Sequence, residues 1–408
     1  MKTYKLTDIA EVIVGGTPKT SVAEYWNGDI PWLSVKDFNK VTRYVLTTEK
    51  KISMEGLQKS STNLLKKDDI IISARGTVGA LAMIKTPMAF NQSCYGIRVN
   101  AEKVSPAYLF YSLKTKIKAL KAASHGSVFD TITLDTLNGL DFELPSLNEQ
   151  LCASNFLSLL DEKIELNNSI NRNLDALARQ LYDYWFVQFD FPDESGRPYR
   201  TSGGKMVWNN RLKRNIPEHW EVVNIFDSVD VQYGFPFSTD SFVDQDSDVP
   251  VVRIRDILNG TVSAYSTEQV GEKYRLSTGD LILGMDGNFH MNLWCDNKSF
   301  LNQRCVRFRQ KDNSAVSTLQ VMYEIAPYIR AKEQVAKGST VGHLSDKDLK
   351  DLWIMTPLNN KYFSASSTLN HISNLIIENR REISELTKLR DDLLPILLNG
   401  QVSIRALR

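Results

Sequence analysis

The sequence predicts a mixed α+β protein built as a pseudo-twofold tandem repeat, with two globular domains separated by two long antiparallel helices that form a coiled coil. Three observations predict it. Residues 148–188 contain neither proline nor glycine, and they set Leu157, Leu160, Ile164, Leu174, Leu181 and Trp185 at spacings built from steps of three and four. That is an amphipathic helix near the 3.5-residue repeat of a coiled coil, a rod of roughly 60 Å at about 1.5 Å per residue. A shift of 212 residues, from Pro145 to Pro357, then finds the same helix again. It carries Leu157 to Leu369, Leu160 to Ile372, Ile164 to Ile376, Asn167 to Asn379, Leu174 to Leu386 and Leu181 to Leu393. Finally, the segments that precede the two helices repeat as well.

Residues 1–144 form the first globular domain. LTDIAEVIVGG reads as a strand or short helix that breaks at Gly15-Gly16-Thr17-Pro18. IPWLSVKDF (30–38) and DIIISARGTVGALAMI (69–84) read as strands, the second interrupted by Gly76 and Gly79. A helix covers Pro106 to Ala123, with Pro106 near its first turn, and the first long helix occupies 145–191. Residues 192–219 are rich in Gly, Ser, Asn, Pro, Arg and Lys; they read either as a solvated linker or as a basic contact with nucleic acid.

Residues 220–356 repeat the first domain, and 357–408 hold the second long helix, which Pro395 kinks or stops. IPWLSVKD corresponds to VPVVRIRD, DDIIISARGTVG to GDLILGMDGNFH, and Asn91-Gln92 to Asn302-Gln303. Two such helices bury their stripes most simply against each other, with Asn167 and Asn379 as polar seam positions that fix register.

With 408 residues there is room for two or three domains; 42% hydrophobic and 24% charged residues are ordinary for a soluble globular protein. The net charge of +1 gives no global basic field, so any nucleic-acid surface must come from local placement of Lys and Arg. Cys94, Cys152, Cys295 and Cys305 lack metal or redox spacing, which fits a reducing cytoplasm. No apolar run is long enough to span a bilayer.

Catalytic motifs are missing. There is no GxxxxGK[ST] phosphate loop, no GxGxxG after a strand, no [DNS]PP[FYW] tetrapeptide and no HExxH pair. Asp161-Glu162-Lys163 read as surface charges on the helix rather than a nuclease triad. A non-catalytic chain with no metal and no cofactor of its own is expected.

Two equivalent domains held apart by a rigid spacer suit the reading of two separated DNA half-sites, which recur roughly 34–36 Å apart along one face of the duplex. Lys or Arg pairs with guanine, and Asn or Gln with adenine, in the major groove. The first domain offers Lys19, Lys36, Arg75, His125 and Ser127; the second offers Tyr233, Arg253, Arg255, Asn288, His290, Lys337 and Thr340. Arg253 and Arg255 alternate within an expected strand, so they are either readers or outward surface charges. Because Asn91-Gln92 and Asn302-Gln303 recur in both copies, a structural turn is favoured for them over sequence reading.

LPSLNEQ before the first helix, INRNLDALARQLYDYWFVQFDFP at its end, NIPEHWEVV and LRDDLLPILLNGQVSI together resemble the specificity (S, HsdS) subunits of type I restriction–modification enzymes, over essentially the whole chain. Gly16-Thr17-Pro18 with IPWLSVKD resembles the opening of a target-recognition domain there; the second copy departs with Gly234-Phe235-Pro236. The resemblance implies that each globular domain reads half of a bipartite double-stranded DNA target and that the helices set the gap. It also implies two modification subunits that methylate adenine with S-adenosylmethionine, and restriction subunits that use ATP and Mg²⁺. Tyr184, Trp185 and Phe186 then serve either that interface or packing within this chain. A tandem scaffold binding only proteins is the alternative.

Overall fold

Strand Lys2–Lys5 pairs antiparallel with Asp141–Leu144, so the first globular region closes on itself just before the first long helix begins. Trp220–Asn224 and Trp353–Pro357 do the same in the second region, pairing Trp220 with Pro357 and Asn224 with Trp353. The computed structural model describes residues 2–40, 43–123, 131–244, 249–312, 314, 316–336, 342–358 and 364–400.

The repeat extends through the sheets. In the first region Ala10–Val14, Cys94–Val99, Ile70–Ser73 and Leu81–Ile84 lie side by side in that order; in the second, Val229–Tyr233, Cys305–Gln310, Leu281–Gly284 and Met291–Leu293 do. A second sheet in each region contains one parallel pair, Trp26–Leu33 with Met88–Phe90 and Val249–Val252 with Phe300–Leu301. The helices Pro106–Ala123 and Thr318–Ala336 follow at equivalent places.

The expected first segment is both things at once, a helical turn Leu6–Ile9 and then the strand Ala10–Val14. Residues 69–84 form two strands whose connecting turn holds Gly76 and Gly79 at φ of +77° and +74°, where side-chain-bearing residues are strained. IPWLSVKDF is strand only as far as Leu33 and then winds into a 3-10 turn, Val35–Lys40.

The first long helix is Leu147–Tyr182, closed by a π-helical turn Asp183–Val187. Ser146 opens it with a capping box: its backbone N–H and hydroxyl donate to Glu149 Oε2 at 3.0 and 2.7 Å. Gln150 ties the helix to the domain, accepting from Ser105 N at 2.9 Å and donating to Pro145 O at 3.0 Å and Lys103 O at 3.2 Å. The second long helix is Ser364–Leu398 and runs through Pro395, so that proline does not stop it. Pro395 is exposed and begins the helix's last turn, so its missing N–H removes a single bond close to the helix end.

Two compact units emerge, Met1–Leu166 with Ser384–Arg408, and Asn167–Ile383. In unit 1 Leu157, Leu394, Leu397 and Leu398 share one core with Tyr108, Phe142 and Leu144; Leu393 packs beside it. Leu160 and Ile164 are buried and Leu386 is half-buried. In unit 2 Ala178, Tyr182, Leu369, Ile372 and Ile376 join the domain core, with Leu174 and Leu181 against it. The pairing is antiparallel there: Asn167 Nδ2 donates to Glu382 Oε2 at 2.7 Å, and Asn379 Nδ2 to Asn171 Oδ1 at 3.1 Å. The two expected seam asparagines thus sit at polar seam positions with different partners, and Asn171 joins them.

Two expectations are corrected and one open alternative is decided. Asp161 is not a surface charge: it is buried, accepting from Tyr111 Oη at 2.6 Å and from Arg390 Nη1 at 2.7 Å. Trp185 and Phe186 lie in the unit 2 core, stacked with Phe191 and Tyr182 respectively, and only Tyr184 of that trio is exposed. Residues 192–219 are no loose linker. They fold a hairpin, Met206–Asn209 with Arg214–Pro217, and Tyr199, Met206 and Leu212 pack onto the same core.

Candidate nucleic-acid interface

One glycine in each region sets its loop geometry. Gly15 ends the strand Ala10–Val14, and Gly234 ends Val229–Tyr233. A Cβ on Gly15 would overlap Asn91 O, and one on Gly234 would overlap Asn302 O. The loops touch backbone to backbone, which only glycine permits. The structural match to Gly234 is therefore Gly15, one residue earlier than the sequence alignment placed it. Asn91 and Asn302 act as turn residues, as expected: Cys94 N donates to Asn91 O and Cys305 N to Asn302 O, both at 3.2 Å. Burial pushes both of these thiols up to about 12, so neither is a nucleophile.

A capped turn faces these loops. Asp37 accepts from Ser34 N at 2.7 Å and Glu49 N at 2.9 Å, while Asp256 accepts from Arg253 N at 2.9 Å and from the Ser263 hydroxyl. Each aspartate is used up inside its turn, and the intervening cations Lys36 and Arg255 are left exposed. Arg253 and Arg255 are therefore not alternating strand residues: Arg253 caps the helical turn Ile254–Ile257 that contains Arg255. The Arg253 guanidinium donates from Nη2 to Ser263 O and Oγ, each at 2.8 Å, and its Nε lies 3.6 Å from Asp256.

In unit 2 these loops enclose a cleft of about 620 Å³ that gathers Arg253, Arg255, Asn288 and His290 with Asp286 and Arg304. Four residues singled out from sequence thus converge. Asn288 is exposed and His290 half-exposed, positioned by backbone bonds from His290 N to Asn288 O (2.8 Å) and Gly284 N to His290 O (2.9 Å). Tyr233 lies elsewhere: its hydroxyl donates to Asp346 Oδ1 at 2.5 Å, and burial followed by that carboxylate pushes its pKa up. Arg304 escaped sequence reasoning. Its signal was the position after Asn-Gln, where the copies differ as Ser93 and Arg304.

In unit 1 Lys19, Lys36 and Arg75 are all exposed, and none of the three side chains has an ion pair among the described residues. A cleft of about 640 Å³ lies beside Lys19, lined by Trp26, Lys50 and Lys51. Trp26 Nε1 donates to Lys19 O at 3.3 Å, and Lys50 Nζ sits 5.6 Å from the indole centroid. The interleaving of lysine and tryptophan was the signal there. His125, Ser127, Lys337 and Thr340 lie outside the described residues. Among those described, no group of three His, Cys, Asp or Glu side chains could hold a metal ion, and no helix is long and apolar enough to cross a membrane.

The type I restriction modification DNA specificity domain matches this chain twice, over residues 1–176 and 217–388. The chain belongs to that family. Its members supply DNA sequence specificity and are not themselves the catalysts. The MjaIX specificity subunit of Methanocaldococcus jannaschii is 28% identical over 418 residues, covering 99% of this chain and 94% of that one. The HindI specificity subunit of Haemophilus influenzae is 22% identical over 364 residues, with 75% and 79% covered. A solved S subunit of a type I restriction–modification system from M. genitalium shares the fold, with a TM-score of 0.59 at 14% identity over 97% of this chain and 95% of that one. The two matched stretches each begin with a globular region and run into a long helix, so the specificity subunit is a duplication of one module.

Proposed function

We propose that each unit of this specificity subunit reads one half of a bipartite duplex-DNA target, and that the two long helices set the unread gap between halves. One observation supports this most: the loops recur at equivalent places in the fold, while their side chains diverge. Ser34 and Lys36 stand where the second copy has Arg253 and Arg255, and Arg75 stands opposite Asp286. A shared frame with divergent loops is what two readers of different sequences require, because residues common to both cannot discriminate.

Lys19, Lys36 and Arg75 serve the first half-site, with His125 and Ser127. Arg255, Asn288 and His290 serve the second, with Lys337 and Thr340. Arg253 and Tyr233 act by holding the loops, since the Arg253 Nη2 and the Tyr233 hydroxyl are bonded inside the unit. The catalysts are partner subunits: two modification subunits methylating adenine with S-adenosylmethionine, and restriction subunits using ATP and Mg²⁺, all in the cytoplasm. Exposed Ile170, Leu177 and Tyr184, seven residues apart on one helix face, suit a partner helix.

The test is a chimera. Residues 220–356 are replaced by the equivalent domain of a relative, the chain is expressed with its modification subunits, and methylated motifs are mapped. Only one half of the motif is expected to change; a change in both halves would overturn modular reading. Affinity for duplex DNA that stays flat between low and high salt would favour the protein-only scaffold instead, since phosphate contacts make DNA affinity fall with salt.

A further inference from the structure

Arg304 combines three features that its neighbours lack. Its backbone sits in the left-handed region at φ +68°, which disfavours any residue with a Cβ. Strain of this kind collects where a loop must aim a side chain. Its Nε lies 3.4 Å from Asp286 Oδ2, and Asp286 is braced from its other oxygen by His343 Nδ1 at 2.5 Å. The side chain is nonetheless 57% exposed at the cleft shared with Arg255, Asn288 and His290, and its Nη atoms have no hydrogen bond among the described residues.

The first unit lacks this device. Ser93 occupies the equivalent position and is absent from the left-handed region, and the facing loop carries Arg75 where the second unit has Asp286. In both copies this loop backbone bonds to the loop opposite, through Ala74 N to Ser93 O and Met285 N to Arg304 O, at 2.7 and 2.8 Å. The two copies therefore place a cation on opposite sides of one conserved backbone pair.

We infer that Arg304 is a specificity-determining residue of the second unit, its guanidinium drawn at Nε toward the Asp286 charge so that the free Nη edge donates to O6 and N7 of a guanine in the major groove. An unoriented arginine can spread over phosphates; an oriented fork with two free donors matches the guanine edge and no other base. Asp286 and His343 are positioning residues that touch no base. The inference rests on the proposed DNA-reading role and adds the base and the residue that reads it.

The experiment uses the chain assembled with its modification subunits, and duplexes carrying the mapped motif with each guanine pair of the second unit's half-site replaced singly. Wild type is expected to lose about 5- to 150-fold in affinity at the position Arg304 reads. Arg304→Gly should abolish that discrimination at one position while keeping the others. Its unfolding temperature should hold or rise, because glycine accepts the left-handed backbone without strain. Arg304→Lys should keep overall affinity yet lose most of the same discrimination. Undiminished discrimination by Arg304→Gly at every guanine, a half-site without guanine, or an equal loss on all duplexes with a lowered unfolding temperature would each overturn the assignment. Failure of wild type to discriminate among duplexes at all would instead remove the DNA-reading role beneath it.

Discussion

Arg390 Nη1 donates to Asp161 Oδ1 at 2.7 Å, joining the two long helices inside unit 1 across 229 residues of chain, with both groups buried. Tyr111 Oη takes the second Asp161 oxygen at 2.6 Å, which brings the domain into the same contact. Removing one member of a buried pair strands the other's charge, at about 3–5 kcal/mol, whereas apolar replacement of both is far cheaper. Arg390→Met should therefore lower Tm by several degrees, and Asp161→Leu with Arg390→Met should recover much of that loss. Thermal denaturation of the three variants checks it. A double variant no better than the single would show that the pair contributes net stability.

Gly234 and Gly287 predict different penalties. A Cβ on Gly234 has the Asn302 carbonyl in its way, while Gly287 has open space around it and only a φ of +69° to disfavour a side chain. Gly287→Ala is expected to cost about 1 kcal/mol from strain alone. Gly234→Ala should cost more, about 1–3 kcal/mol, since backbone must shift. Urea unfolding midpoints decide the ranking, and equal midpoints would mean that the loop contact is easily relaxed.

Leu177 and Ile376 separate partner binding from packing. Ile376 is fully buried in the unit 2 core, and Ile376→Ala should cost about 2–5 kcal/mol. Leu177 is 51% exposed, so Leu177→Ala should leave stability within about 0.5 kcal/mol. If this face holds a modification subunit, the same variant weakens co-purification with it. Retention of full assembly by a triple Ile170→Ala, Leu177→Ala, Tyr184→Ala variant would dismiss the face as an interface.

Glu324 predicts a pH dependence. The residue is half-buried but its carboxyl is enclosed, and burial pushes its pKa up to about 8 against the bonds from Met355 N (2.7 Å) and Gln320 Nε2 (3.4 Å). Between the unfolded value of 4.5 and about 8 the folded chain keeps a proton that the unfolded chain has lost. This group's contribution to stability therefore falls as pH rises through that window, at up to about 1.4 kcal/mol per pH unit, and levels off above it. Glu324→Gln should flatten the fall and raise Tm at pH 8 relative to pH 5. A wild-type Tm slope that the variant reproduces unchanged would assign the dependence to other groups.

The functional loops show where sequence reading stops. Arg253, Arg255, Asn288 and His290 were legible as a set, because the repeat pointed to the turns that carry them, and they do converge. Their separate duties were not legible. Arg253 and Arg255 look alike two residues apart, yet one is locked to Ser263 and the other has no side-chain bond among the described residues, a difference set by a residue ten positions away. Arg304 was invisible for a related reason: its aim depends on Asp286 and His343, which the fold brings in from two other loops.

The sequence by itself determined the duplication, both long helices and the family, since periodicity, caps and repeated motifs act within a few turns of chain and survive being read locally. Only the tertiary structure decided that Asp161 is buried, that Trp185 and Phe186 face inward, and that residues 192–219 fold onto the second core. Each of those outcomes turns on partners far along the chain. A charge or an aromatic ring carries no mark of whether folding will supply it with a counter-ion, a core or water.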